Sequence, residues 1–257
     1  MSSSADADDV RLDGLRAAEL AILLGVPRVE LYATVTSTLD VANAIAATAP
    51  AGTVIVADEQ TAGRGRQGRA WVSPPGAGLW LTLLERPVDA LALEVLSLRC
   101  GLYAAEALDA LTDGTIGVKW PNDLYVAGRK LAGVLIETRW RGASPEWVAI
   151  GFGLNVATPP IDTAVGLAPR TTRRDAIVRL VPALRRAALA TGLLTDDELA
   201  RWSERDVARG RTAEAPSAGT VDGISPRGEL LVRRAGDDTL TAHRSGTLTF
   251  AEPLACS

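Results

Sequence analysis

Two short stretches of the chain concentrate residue types that can hold anions. In Gly63-Arg64-Gly65-Arg66-Gln67-Gly68-Arg69-Ala70-Trp71, three guanidiniums fall within six positions, interleaved with glycine. A guanidinium presents a planar fork that matches phosphate or carboxylate oxygens in pairs, and glycine lets a backbone approach a ligand closely. The composition therefore predicts an anion site, against the alternative of a solvated arginine-rich turn. Gly63, Gly65 and Gly68 also satisfy G-x-G-x-x-G, with Glu85 downstream as a possible ribose contact. That pattern requires a helix to open at its third glycine, whereas Val72-Ser73-Pro74-Pro75-Gly76 follows Trp71 and forbids one. A Walker A loop is excluded because no Gly-Lys-Ser/Thr occurs.

The second stretch is Lys119-Trp120-Pro121-Asn122-Asp123-Leu124, followed by Arg129 to Glu137. Lys130 sits among Leu131, Val134 and Leu135. An unpaired lysine is costly to bury, so it either projects from the exposed face of a strand or lines a polar site, and alternation does not choose between these. Other polar residues have ordinary structural readings. Ser37, Thr38 and Asp40 are good helix N-caps, Gln60 and Asn155 suit turns or strand edges, and Trp80 and Trp120 suit a core. His243 is the sole histidine and falls outside the stretches that carry chemistry, which disfavours a Ser-His-Asp hydrolase.

The elements that must position these groups can be read from hydrophobic period. Residues 12–24, 41–49, 89–111, 172–190 and 196–207 repeat apolar side chains at helical spacing. The stretches 29–36, 52–60, 78–85, 117–120, 123–140 and 146–157 read as strands, with a hairpin turn at Ala127-Gly128, so the sheet is expected to be mixed and mainly antiparallel. After Arg209 short strands and turns take over. The expected organisation is a disordered tail at 1–9, an α+β catalytic domain at 10–207 and a small β-barrel at 208–257.

Composition narrows the class further. With 47% hydrophobic and 23% charged residues over 257 positions, the chain can bury a sizeable core. A formal charge of -4 gives no global attraction for a polyanion, so general nucleic-acid binding is not expected. Cys100 and Cys256 alone cannot build a disulfide framework or a thiolate metal cluster. No signal peptide and no apolar run of membrane-spanning length is present, and a cytoplasmic protein is expected.

Taken together, GRGRQGRAW and KWPNDLYVAGRKLAGVLIE resemble the two hallmark motifs of biotin protein ligases, in the family's order. The resemblance extends to Ser37-Thr38, to Gln60 and to Gly151-Phe152-Gly153-Leu154-Asn155. It implies a fold like class II aminoacyl-tRNA synthetases and biotin synthetases, with an SH3-like C-terminal barrel. It implies activation of biotin by MgATP to biotinyl-5′-AMP, then transfer to a lysine of a carboxylase's biotin carboxyl carrier domain. Ser37, Thr38, Leu39, Gln60, Arg64, Gly65, Arg66 and Lys130 match the biotin-binding set, and Arg64, Arg66, Arg69, Trp71, Lys119, Asn122 and Asn155 the ATP and adenylate set. Lys130, Arg66 and Asp123 match the catalytic positions, Asp123 either as a Mg²⁺ ligand or as a base. Leu39 departs from the asparagine common after Ser-Thr in the family, which removes a polar contact. Some relatives carry an N-terminal DNA-binding module, but only about thirty residues precede the first strand here, too few for its three helices, so no DNA partner and no membrane partner are expected. A lipoate ligase-like acyltransferase and a non-catalytic biotin-binding regulator are the alternatives. The glycine-rich loop is further expected to be mobile without ligand, because its arginines lack local partners.

Overall fold

The computed structural model describes residues 10–87, 89–236, 239–252 and 254. The expected tail at 1–9 and Cys256 lie outside these. The N-terminal apolar repeat forms α1 (Ala17–Leu24), shorter than the expected 12–24. Asp13 and Gly14 take positive φ, and Leu12 and Leu15 bridge through their backbones, so the helix starts only after that turn. Strand β1 (Arg28–Val35) leads to Ser37, whose hydroxyl accepts the Leu39 N–H and starts α2 (Thr38–Ile45) three residues earlier than its apolar face suggests.

Next come β2 (Thr53–Gln60) and β3 (Gly78–Glu85), with the arginine loop between them. Of the expected helix 89–111, only α3 (Leu96–Leu108) is α-helical, because tight turns at 92–94 and 109–111 break the pattern at each end. The chain continues through β4 (Gly117–Lys119), β5 (Asp123–Val126), β6 (Arg129–Arg141), β7 (Ser144–Asn155), α4 (Arg173–Leu189) and α5 (Asp196–Arg205). Thr172 and Thr195 open the last two helices with reciprocal capping boxes to Asp175 and Glu198. The β5–β6 turn falls at Ala127-Gly128 as expected, both at positive φ.

These strands form one seven-stranded sheet in the order β1-β2-β3-β7-β6-β5-β4, in which only β1 and β2 pair in parallel. The sheet is mixed and mainly antiparallel, as expected. Helices α1, α3 and α4 cover one face and bury the main apolar core, while α2 covers part of the other above Ile55, Leu84 and Ala149. All eight residues of the central strand β3 are buried. Inside the core, Glu198 accepts from Arg99 Nε at 2.6 Å and Tyr103 OH at 2.8 Å. Burial would raise the Glu198 carboxyl, but these donors and the Thr195 N–H hold it down at about 2, which locks α5 to α3.

The remaining strands, β8 (Thr212–Ala215), β9 (Gly219–Ile224), β10 (Leu230–Arg233), β11 (Leu240–His243) and β12 (Thr249–Phe250), form a separate antiparallel sheet in the order β11-β10-β9-β8-β12, consistent with a small SH3-like module. It docks on the first sheet through Trp120, whose Nε1 donates to the Gly228 carbonyl at 3.0 Å, and the segment leading into it is tied to β4 by the Val207 N–H bonded to the Val118 carbonyl at 3.1 Å. Among the described residues no helix is long and apolar enough to cross a membrane.

Candidate active site

The floor of the site is a trough made by missing side chains. Along β7, residues alternate faces: Ile150, Phe152 and Leu154 point into the main core, and Gly151 and Gly153 fall on the opposite face. Gly133 of β6 pairs with Gly153 across the ladder. A Cβ at Gly151 would sit 3.1 Å from Leu39, and one at Gly153 would sit 2.6 Å from the Trp71 ring. The absence of side chains thus lets α2 and the arginine loop lie against the sheet.

Over this trough lies a cavity of about 310 Å³. Ser37, Thr38, Leu39, Gln60, Arg64, Gly65, Arg66, Arg69, Trp71, Lys119, Asn122, Asp123 and Lys130 all line it, so two stretches, 37–71 and 119–130, converge on it. Asn155 does not line it. Its side chain is buried and its Nδ2 points at the Lys130 carbonyl at 3.4 Å, so in this structure it supports the β6 start instead of facing the cavity. Asn122 lines the cavity but its Nδ2 donates to the Val134 carbonyl at 2.7 Å, which makes it a brace between the strand ends as well.

At one end the walls are polar and neutral. Gln60 Oε1 accepts from the Thr38 N–H at 2.9 Å and the Thr38 hydroxyl at 3.2 Å, and its Nε2 donates to Ser73 Oγ at 2.9 Å. Thr82 Oγ1 donates to Thr38 Oγ1 at 2.9 Å, so the hydroxyls are oriented by a connected network. Leu39, buried against Gly151, supplies an apolar wall.

The other end is cationic. Lys130 Nζ lies 2.7 Å from Asp123 Oδ1 and 5.1 Å from the Trp71 ring centroid. Burial lowers the proton affinity of the Lys119 ammonium, and the nearby Lys130 and Arg69 lower it further, although Asp123 opposes them. Burial likewise lowers that of Arg66, with Asp123 opposing. Tyr125, also in the wall, is pushed up to about 12 by burial and by Asp123. Asp123 is the one carboxylate lining the cavity among the described residues, so its electrostatics favour an anionic guest.

The arginine loop closes over this end. Trp71 packs edge-on to Trp80 with centroids 6.5 Å apart, the Gly65 N–H bonds to the Arg69 carbonyl at 2.7 Å, and the Trp71 N–H to the Gly63 carbonyl at 2.8 Å. The expectation that the arginines lack local partners fails for Arg64. Its guanidinium meets Asp40 at 2.6 Å and Glu137 at 3.2 Å, carboxylates brought from α2 and β6 by the fold.

Sequence reasoning missed Gly246, Thr247 and Leu248, which reach the cavity from the second sheet, and the glycine trough itself. The alternation of glycine with large apolar residues at 151–154 was a readable signal for the trough. No local signal announces residues 246–248, because their position depends on how the two sheets dock.

A mixed seven-stranded sheet with a cavity on one face and a small antiparallel sheet beside it defines an α+β fold shared with solved ligases. A biotin protein ligase from Aquifex aeolicus, solved in complex with biotin and ATP, superposes with a TM-score of 0.70 at 25% identity, covering 87% of this chain and 98% of that one. The model of the biotin/lipoate A/B protein ligase family matches residues 31–155. A biotin–[acetyl-CoA-carboxylase] ligase of Paracoccus denitrificans is 32% identical over 203 residues, which cover 70% of this chain and 83% of that protein. The chain belongs to the biotin protein ligase family. It is also 33% identical over 201 residues to the bifunctional ligase/repressor BirA of Escherichia coli strain K12, although it spans only 63% of that relative's length.

Proposed function

We propose that the protein is a biotin protein ligase, which joins biotin to ATP and then passes it to a lysine of a biotin carboxyl carrier domain. The observation that carries this reading is the single cavity lined by the Ser37–Thr38–Gln60 network, the arginine loop and the Lys130–Asp123 pair. Residues 10–207 would form the catalytic domain and 208–257 the SH3-like module that borders the nucleotide end.

The neutral end, Ser37, Thr38 and Gln60 with the apolar wall at Leu39, suits a ureido ring on a hydrocarbon chain, with the backbone about Gly65 nearby. The chain's carboxylate then points toward Lys130. In the first step a carboxylate oxygen attacks the α-phosphorus, an O–P bond forms, and the bond to pyrophosphate breaks. Lys130 offsets repulsion between the two anions and stabilises charge developing at phosphorus, while Arg66, Arg69 and Lys119 hold the phosphates. Arg64 serves more as an anchor of the loop than as a phosphate ligand, given its two carboxylate partners. Trp71 covers the adenylate.

In the second step the carrier's ε-amine attacks the acyl carbon, the bond to the phosphate oxygen breaks, AMP leaves and the amine gives up a proton. Asp123 orients Lys130 and is placed to assist. Asp123 would be the protein ligand for a Mg²⁺ ion brought with ATP, which would supply charge neutralisation at the phosphates.

The test is to incubate the protein with biotin, MgATP and a carrier domain and to weigh the carrier. A biotinyl mass increase that needs ATP supports the reading; labelling with lipoate and not biotin, or none with several carriers, refutes it.

A further inference from the structure

The arginine loop is held at two places, and the second comes from the far sheet. Its stem is tied to α2 and β6 by Arg64. Its apex is Gln67, in the left-handed region at φ 57, where non-glycine residues are uncommon. There Thr247, in the segment joining β11 to β12, donates its hydroxyl to Gln67 Oε1 at 2.9 Å and accepts from Arg69 Nη2 at 3.4 Å. Thr247 is itself fixed. Leu248 beside it is buried, and Gly246 lies so close to Pro216 that a Cβ would come within 3.2 Å. The segment thus offers one oriented hydroxyl to a loop whose glycines give it freedom to open.

We propose that Thr247 is a positioning residue, which holds the apex of the arginine loop down over the cavity from the second sheet. The stem stays anchored while the apex opens and closes against this one side chain. Retention of a reactive acyl-adenylate then depends on contact between the sheets, a consequence that rests on the ligase reading, whereas the contact itself does not.

Trypsin provides a probe, because Arg66 and Arg69 are cleavage sites inside the loop. In ligand-free protein, Thr247→Val should speed tryptic cleavage at these residues about threefold to tenfold, the range expected for losing surface hydrogen bonds of modest net strength. Thr247→Ser should restore the wild-type rate. Thr247→Val combined with Gln67→Met should cleave no faster than Thr247→Val alone, since the bond that Gln67→Met removes is already lost in Thr247→Val. With biotin and MgATP, Thr247→Val should release free biotinyl-AMP faster by a similar factor while its melting temperature stays near wild type. Wild-type cleavage rates in Thr247→Val, or additive effects in the double variant, would overturn the proposal. Faster cleavage with no acyl-adenylate formed by wild type would support the contact and refute the ligase reading instead.

Discussion

Replacing Gly153 by alanine tests the claim that the trough exists to seat Trp71. The new Cβ would lie 2.6 to 3.0 Å from three indole atoms, so the ring must retreat by about 1 Å to regain ordinary contact. Overfilling of this kind typically costs about 1–3 kcal/mol. Because the loop can move more easily than the sheet, most of the strain should appear as displacement of Trp71 from Lys130 and Trp80, with little loss of global stability. A misplacement of about 1 Å near reacting groups can cost about a hundredfold in rate. Gly153→Ala should therefore lower kcat/KM for biotin-dependent ATP–pyrophosphate exchange by about thirtyfold to a hundredfold. Gly133→Ala provides an internal scale, since its Cβ would approach Trp71 only to 3.2 Å and should cost a few-fold. Pairing Gly153→Ala with Trp71→Leu should relieve the clash and add little to the loss from Trp71→Leu alone. The assay is exchange kinetics beside thermal melting. A larger effect at Gly133 than at Gly153, or full activity in Gly153→Ala, would refute the reasoning.

Lys130→Ala should remove about 3 kcal/mol of transition-state stabilisation, a loss of about a hundredfold or more in acyl-adenylate formation, with the fold intact by circular dichroism. Arg66→Gly should raise the release of free biotinyl-AMP and the labelling of bystander proteins, measured by blotting, more than it lowers stability. Burial pushes the Asp206 carboxyl up to about 6 against the pull of the Ala208 N–H. Its raised folded pKa means that its contribution is fully present below about pH 4 and is lost as pH rises through about 6, some 3 kcal/mol in all. Denaturant titrations should then find wild type losing stability relative to Asp206→Asn over that interval; a constant difference would sink the assignment. Because burial lowers the proton affinity of Lys119, KM for ATP should begin to climb at a lower pH than an ordinary lysine would give, and Lys119→Arg should flatten that rise.

The elements that the sequence disclosed are those whose local signals agree with their packing. The β5–β6 hairpin was legible from Ala127-Gly128, and α4 and α5 from apolar side chains at helical spacing, although the threonine caps that start them went unread. The expected helix at 89–111 was too long because apolar residues at 91–95 share its period but form a tight turn, which period alone does not distinguish. Most cavity residues were found through a resemblance, since Ser37 and Gln60 look like a cap and a strand end when read alone, and Ser37 is in fact also a cap. The bond of Asn155 to the Lys130 carbonyl was equally illegible, because alternation puts a strand-end side chain on a face but does not show whether neighbouring backbone will claim it. The carboxylates that bind Arg64 come from positions 24 and 73 residues away, and such distant pairing leaves no trace in a local window.

The bond between Gln67 and Thr247 joins residues 180 positions apart. During synthesis the N-terminal parts of a chain emerge first, at about 5–20 residues per second. The Ser37–Thr38–Gln60 network, the lysine and the arginines will therefore be outside the ribosome many seconds before the segment that closes over them. A nascent chain holding only the first sheet has the means to bind substrates but lacks the cover for a reactive anhydride. Completion of the polypeptide thus times the appearance of a contained reaction, and a chain truncated before Thr247 should be a leaky acylating agent towards its neighbours instead of a silent fragment.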